Sequence, residues 1–177
     1  MISTLRTLSS VGDRYAGGHD RPLPGYAALA GTYTALAGTA LAVARRRGGR
    51  EGTEVEWRDL ALITVSTFRL SRILTKDAIS SPLRAPLTAF DGRGLPGEVN
   101  EEVAPQVKGR PVLHALSELV TCPFCAGQWV ATSLVVGQVL APRVTRLVTS
   151  ILTATAGAEV LHHVHAGLNR LEAPDRR

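Results

Sequence analysis

Apolar residues in this chain gather into four blocks, separated by stretches dense in Arg, Gly and Pro. The first, Gly25–Ala44, runs for about twenty residues without a charge, the length a helix needs to cross a bilayer core. The second opens at Trp57, has an apolar centre at Leu60–Phe68 and extends to about Ile79, with Pro82 and Pro86 ending it. The last two, Gly127–Ala141 and Leu147–Leu161, each give about 22 Å of clean apolar helix, short of a bilayer's roughly 30 Å. Extending them to Cys122 and Val164 brings both near spanning length, and Pro142–Arg146 between them reads as the tight turn of an antiparallel helical hairpin.

Between the second and third blocks, residues 85–111 carry Asp91-Gly92-Arg93-Gly94, Pro96-Gly97 and Glu101-Glu102, turn chemistry and charge that read as a long polar loop. Val112, Leu113, Leu116, Leu119 and Val120 then recur at helical spacing over Pro111–Thr121, which predicts an amphipathic helix along a membrane surface or a bundle. Residues 1–24 read as a polar tail with a short surface helix at Ile2–Val11, and residues 165–177 as a second, frayed tail. The fold expected is all-α: a small polytopic membrane bundle of about four membrane-embedded helices with a long polar middle loop.

Composition changes this picture little. The hydrophobic share of 45% suits a soluble protein too, but only 5% of residues are aromatic, few for a water-soluble core. The net charge is +5, and 18 of the 20 basic residues are Arg. They flank apolar blocks, as in Arg45-Arg46-Arg47, instead of interleaving with aromatics, which favours membrane boundaries over nucleic-acid contacts. The first 24 residues hold Arg6, Asp13, Arg14 and Arg21 without an apolar run, so no signal-peptide core is expected there. The Arg-dense connector after the first block favours a cytoplasmic position for itself, which places the cysteines outside.

Four groups of residues carry candidate chemistry. Cys122-Pro123-Phe124-Cys125 holds the chain's two cysteines, and Pro123 suits the first turn of a helix with Cys122 at its N-cap. Thiols so placed are candidates for redox exchange, with a bound quinone as electron acceptor. They also supply half of a zinc site, for which His114 and His162, with His163 and His165, are further ligands; a small-ligand site and plain packing or a static disulfide are the other readings. Arg69, Arg72 and Asp77 form a second group, suited to a lipid phosphate or another anionic ligand, or to interfacial anchoring with a local ion pair. Glu159 interrupts an otherwise uncharged run, and an acid at membrane depth is a candidate functional group; Glu118 stands one helical turn before Cys122. Last, Ala27, Gly31 and Ala35, like Thr34, Gly38 and Ala42, repeat every four residues, so residues 25–44 offer a helix-packing or homodimer surface.

Arg69-Leu70-Ser71-Arg72, Asp77, Pro82-Leu83-Arg84, Glu118-Leu119, Cys122-Pro123-Phe124-Cys125, Gly127 and Trp129, in that order, resemble the bacterial integral-membrane family catalogued as domain of unknown function 1360. The resemblance covers about residues 58–162. It implies a family core over 58–164 with three membrane-embedded helices, and an added N-terminal membrane helix and Arg-rich connector at 25–57. It also implies a multi-pass protein of the bacterial cell membrane, with some members linked to sporulating bacteria, and it supplies no reaction. The expected function is a non-enzymatic membrane or envelope component whose partner is the lipid bilayer. The alternatives are a membrane dithiol-disulfide oxidoreductase using Cys122 and Cys125, and a metal or small-ligand binder at the same junction.

Overall fold

A computed structural model describes Tyr15, residues 17–18, 21–48 and 55–172. The expected surface helix at Ile2–Val11 and residues 49–54 of the connector lie outside the described residues. Among the described residues six α-helices follow in order: α1 (Leu23–Gly48), α2 (Trp57–Thr75), the one-turn α3 (Ser81–Arg84), α4 (Pro111–Thr121), α5 (Pro123–Leu140) and α6 (Pro142–Glu172). Two strands, β1 (Thr88–Arg93) and β2 (Val99–Val103), stand between α3 and α4.

Long-range contacts fix the helix directions. Asp59 of α2 meets Gln138 of α5, while Thr67 lies against Gly127, so these two helices are antiparallel. Asp59 also meets Arg146, Ser66 donates to the Thr149 carbonyl, and Arg69 faces Glu159, so α2 and α6 run parallel. α1 runs with α5, tied by Tyr33, whose hydroxyl lies 2.6 Å from Thr132 Oγ1 and accepts from Gln128, and whose ring stands edge-on to Trp129 at 5.1 Å. The small apolar core, Ile63, Val130 and Leu134, lies between α2 and α5.

The chain turns where proline dictates. Pro123 disfavours helical geometry at the residue before it, and Cys122 is extended (φ −106°, ψ 108°), so α4 stops at Thr121 and α5 leaves at 84° to it. Pro142 likewise opens α6 directly after Ala141. The segment Pro142–Arg146, expected to be a turn, is therefore the first turn of a helix, although α5 and α6 are antiparallel as expected. That helix runs on to Glu172, so most of the tail expected to fray is helical.

The described residues are mostly helical, as expected, but the expected polar middle loop is corrected: it holds a β-hairpin. Thr88 pairs with Val103 and Phe90 with Glu101, with a bulge between Phe90 and Gly92. Its tip is stitched to the end of α2 by Ala78 N–H to the Gly97 carbonyl and Val99 N–H to the Lys76 carbonyl, each 2.9 Å. Gly97 takes φ +85° there, which the absence of a Cβ permits. The hairpin, α3 and α4 make a cap over one end of the bundle; Ser117 of α4 donates to the Leu87 carbonyl at 2.9 Å.

By length and composition two helices can cross a membrane, α1 over Leu23–Arg46 and α6 over Pro142–Arg170, or three if the bent pair α4–α5 counts as one broken span. α2 falls short, since Arg58, Asp59, Arg69 and Arg72 leave only Leu60–Phe68 uncharged.

Candidate functional site

The thiols sit at the α4–α5 elbow. Cys122 is the N-cap of α5, its Sγ accepting the backbone N–H of Cys125 at 3.3 Å. Both cysteines are free; Cys122 is half-buried and Cys125 exposed. The positive end of the α5 dipole thus faces Cys122. One residue past Cys125, Ala126 lines an apolar recess of about 300 Å³ whose other walls include Leu74, Leu83, Leu119, Val120 and Trp129. Glu118, a turn before Cys122, accepts from the Tyr26 hydroxyl and lies 3.7 Å from Arg21 and 3.6 Å from His114.

The expected zinc ligands are not gathered. His114 packs beside Glu118 on α4, whereas His162 lines a different cleft with Arg69 and Glu159. Among the described residues no three His, Cys, Asp or Glu side chains are grouped to hold a metal ion.

Arg69, Arg72 and Asp77 do come together, but as ion pairs. Arg69 grips Asp77 with both terminal nitrogens, at 2.9 and 3.3 Å, and its Nε stands 3.6 Å from Glu159. Arg72 pairs with Glu98 at the hairpin tip and lies 5.7 Å from the centre of the Phe68 ring. Both guanidiniums are therefore met by carboxylates, which weakens their attraction for a phosphate.

Arg84 and Glu101 form the pair whose importance sequence reasoning missed. Arg84 is 2% exposed and uses every nitrogen: Nε and Nη2 on Glu101 at 2.8 and 3.0 Å, Nη1 on the Leu74 carbonyl and Ser80, and Nη2 also on Ser81 and the Asp77 carbonyl. Glu101 was read as a loop charge; its neighbour Thr88, which donates to it at 2.8 Å, becomes adjacent only when β1 pairs with β2. Burial pushes the Glu101 carboxyl up, but hydrogen bonds from Arg84, Thr88 and Ser81 outweigh it and hold it below its ordinary range. The hairpin's stabilisation by this pair is thus complete above the unfolded value of about 4.3 and lost as pH falls through the lower folded value. Hydrogen-exchange protection of β1 and β2, corrected for intrinsic rates, is expected to hold from neutral pH to about 5 and to fall below about 4. A flat protection profile to pH 2 contradicts this.

A helical bundle with two helices able to span a membrane, closed at one end by a salt-bridged β-hairpin, is the class of molecule these elements define. The chain belongs to the family described as protein of unknown function (DUF1360), which matches residues 62–165, from within α2 to within α6. Over 98 residues it is 32% identical to "Sporulation protein YjcA" of Bacillus subtilis (strain 168), covering 55% of this chain and 81% of that protein. No solved structure matches. The elbow, the Arg69 and Arg84 clusters and the hairpin all fall inside the family match; α1 falls outside it.

Proposed function

We propose that the protein is a multi-pass membrane component of the bacterial envelope with a structural role, in which α1, α2, the α4–α5 pair and α6 are all embedded. One observation carries this: the bundle is polar inside and apolar outside. Among the described residues twelve buried side chains are polar or charged and eight are apolar, four of those being alanine. Ser66, Ser71, Thr75, Thr145 and Thr149 are buried in the bundle, while Leu60, Phe68, Leu147 and Ile151 are exposed. Lipid accounts for this distribution, because small polar residues hold helices together there and apolar surface costs nothing. Exposed hydroxyls follow the same logic, Thr32, Thr34, Thr39, Thr64 and Ser133 each donating to the carbonyl four residues back in their own helix. Of the charges that keep α2 from qualifying alone, Asp59 is matched by Arg146 at one end, and Arg69 and Arg72 by Asp77, Glu98 and Glu159 at the other. The likeness to a protein named for sporulation supports a role in that process or a related envelope process.

A second reading, a membrane dithiol oxidoreductase, draws on the N-cap position of Cys122 and the apolar recess beside it. Oxidation of the pair to a disulfide releases two electrons and two protons, which a quinone in that recess would take up. Zinc remains without such support, while Gly31 and Gly38, with open space where a Cβ would lie, leave the face at residues 25–44 free for a partner helix.

Carbonate extraction at alkaline pH, followed by thiol alkylation of the retained protein, tests both readings. The structural reading expects the protein to stay with the membranes, and Cys122→Ser and Cys125→Ser to leave its retention and partners unchanged. Release into the carbonate supernatant overturns the membrane assignment. A reversible Cys122–Cys125 disulfide that cycles with added quinone replaces the structural role with the redox one.

A further inference from the structure

The Arg69 cluster sets three carboxylates, Asp77, Glu98 and Glu159, against two guanidiniums, those of Arg69 and Arg72. Asp77 occupies both terminal nitrogens of Arg69, and Glu98 occupies Arg72. Glu159 is left with Arg69 Nε alone, at 3.6 Å, beyond hydrogen-bond range. Glu159 Oε2 and Arg69 Nε are both buried and neither has a hydrogen-bond partner. Glu159 and Arg69 line a cleft of about 440 Å³ between α6 and the hairpin tip, with these two atoms beneath its surface and His162 and His163 completing the wall. His163 does not serve Glu159's side chain, since its Nδ1 lies 2.8 Å from the Glu159 backbone carbonyl.

A partly exposed carboxylate whose one charged neighbour stands 3.6 Å away can take a further charged N–H donor from the cleft. The surplus of acid turns away phosphate as the primary ligand group, and the absence of a three-ligand cluster among the described residues turns away a metal ion. The cleft also has a lipid-accessible position under the membrane reading, on which the source of the ligand rests. Thirteen helical steps separate Arg146 from Glu159, about 20 Å of α6, so a layer of charges at Arg146 on one side brings Glu159 to the opposite headgroup boundary where the bilayer thins by about 10 Å around the bundle. Beyond it Val160, Leu161 and Val164 are exposed and apolar.

We propose that this cleft binds a protonated primary amine, carried by a phosphatidylethanolamine headgroup, with its N–H groups on the accessible side of the Glu159 carboxylate and its phosphate oxygens near His162. The site reverses the sign expected of the Arg69–Arg72–Asp77 group, taking a cation through the acid instead of an anion through the arginines.

Native mass spectrometry of the full chain in detergent, titrated with phosphatidylethanolamine, its N-methyl and N,N-dimethyl derivatives, phosphatidylcholine and phosphatidylglycerol, tests this without any variant. Retention is expected to fall with each N–H replaced, by about tenfold or more from the primary amine to phosphatidylcholine. Glu159→Gln is expected to abolish the preference, and Glu102→Gln, outside the cleft, to preserve it. Equal retention of all five lipids overturns the proposal, as does undiminished selectivity in a folded Glu159→Gln protein. Displacement by free ethanolamine identifies the amine alone as the recognised group; selectivity that resists ethanolamine identifies the intact lipid headgroup. Because selectivity is read in detergent, its failure leaves the carbonate result standing, and the converse holds equally.

Discussion

Arg84→Ala is expected to destabilise the protein by about 3–5 kcal/mol, the cost of leaving one partner of a buried ion pair alone. The substitution strands Glu101 and removes the donors on the Leu74 and Asp77 carbonyls, which join the end of α2 to the hairpin. Unfolding followed by circular dichroism in a mild detergent reads the loss, and hydrogen exchange locates it in β1, β2 and residues 74–84. Arg84→Lys is expected to rescue little, since one ammonium cannot reach both the Glu101 carboxylate and two carbonyls in the fork geometry that a guanidinium supplies. An alanine variant that unfolds with the wild type and keeps its hairpin protected removes the pin from this account.

Gly25→Ala is the second large effect. A Cβ at this position would lie 1.9 Å from the Pro111 carbonyl oxygen, 2.6 Å from its carbon and 2.8 Å from Ala115 Cβ. Two of those three atoms are backbone, so relief requires α1 and α4 to separate, and the Tyr26–Glu118 hydrogen bond separates with them. Overpacking of this kind costs about 1–3 kcal/mol, sometimes more. The expected result is selective loss of protection over the first turns of α1 and faster proteolysis there. Gly31→Ala, on the same helix with nothing within 4 Å, is the matched control and is expected to be neutral or slightly stabilising. If the two variants behave alike, α1 does not pack on α4 as described.

Helices were legible where apolar runs were long and proline marked the ends. Pro111–Thr121 is found with the bounds its spacing predicts, and Cys122 caps α5 as Pro123 requires. The hairpin was not legible, because its strands carry little apolar alternation: Thr88-Ala89-Phe90-Asp91 and Asn100-Glu101-Glu102 look like loop residues until Arg84 buries Glu101 between them. Pairing with a residue seventeen positions away leaves no local trace in spacing or composition. The same holds for Asp59, which reads as a charge at a helix start yet takes hydrogen bonds from Gln138 and Arg146, far along the chain. Candidate residues were thus found by type, and Arg69, Asp77, Glu159 and His162 prove to share one cleft. Their roles were not readable, since which acid neutralises which arginine depends on tertiary placement alone.

The two charged ends of the bundle stand about 20 Å apart along α6, against roughly 30 Å of hydrocarbon in an ordinary bilayer. Where α2 packs on α6, a bundle embedded as proposed therefore meets its lipid with a belt shorter than the one α1 offers over Leu23–Arg46. Mismatch is relieved by drawing the leaflets together or by snorkelling of the flanking arginines, each at a modest elastic cost per ångström. That cost is smallest where a membrane is already thin, so the spacing between Arg146 and Glu159 is a built-in preference for one membrane thickness over another.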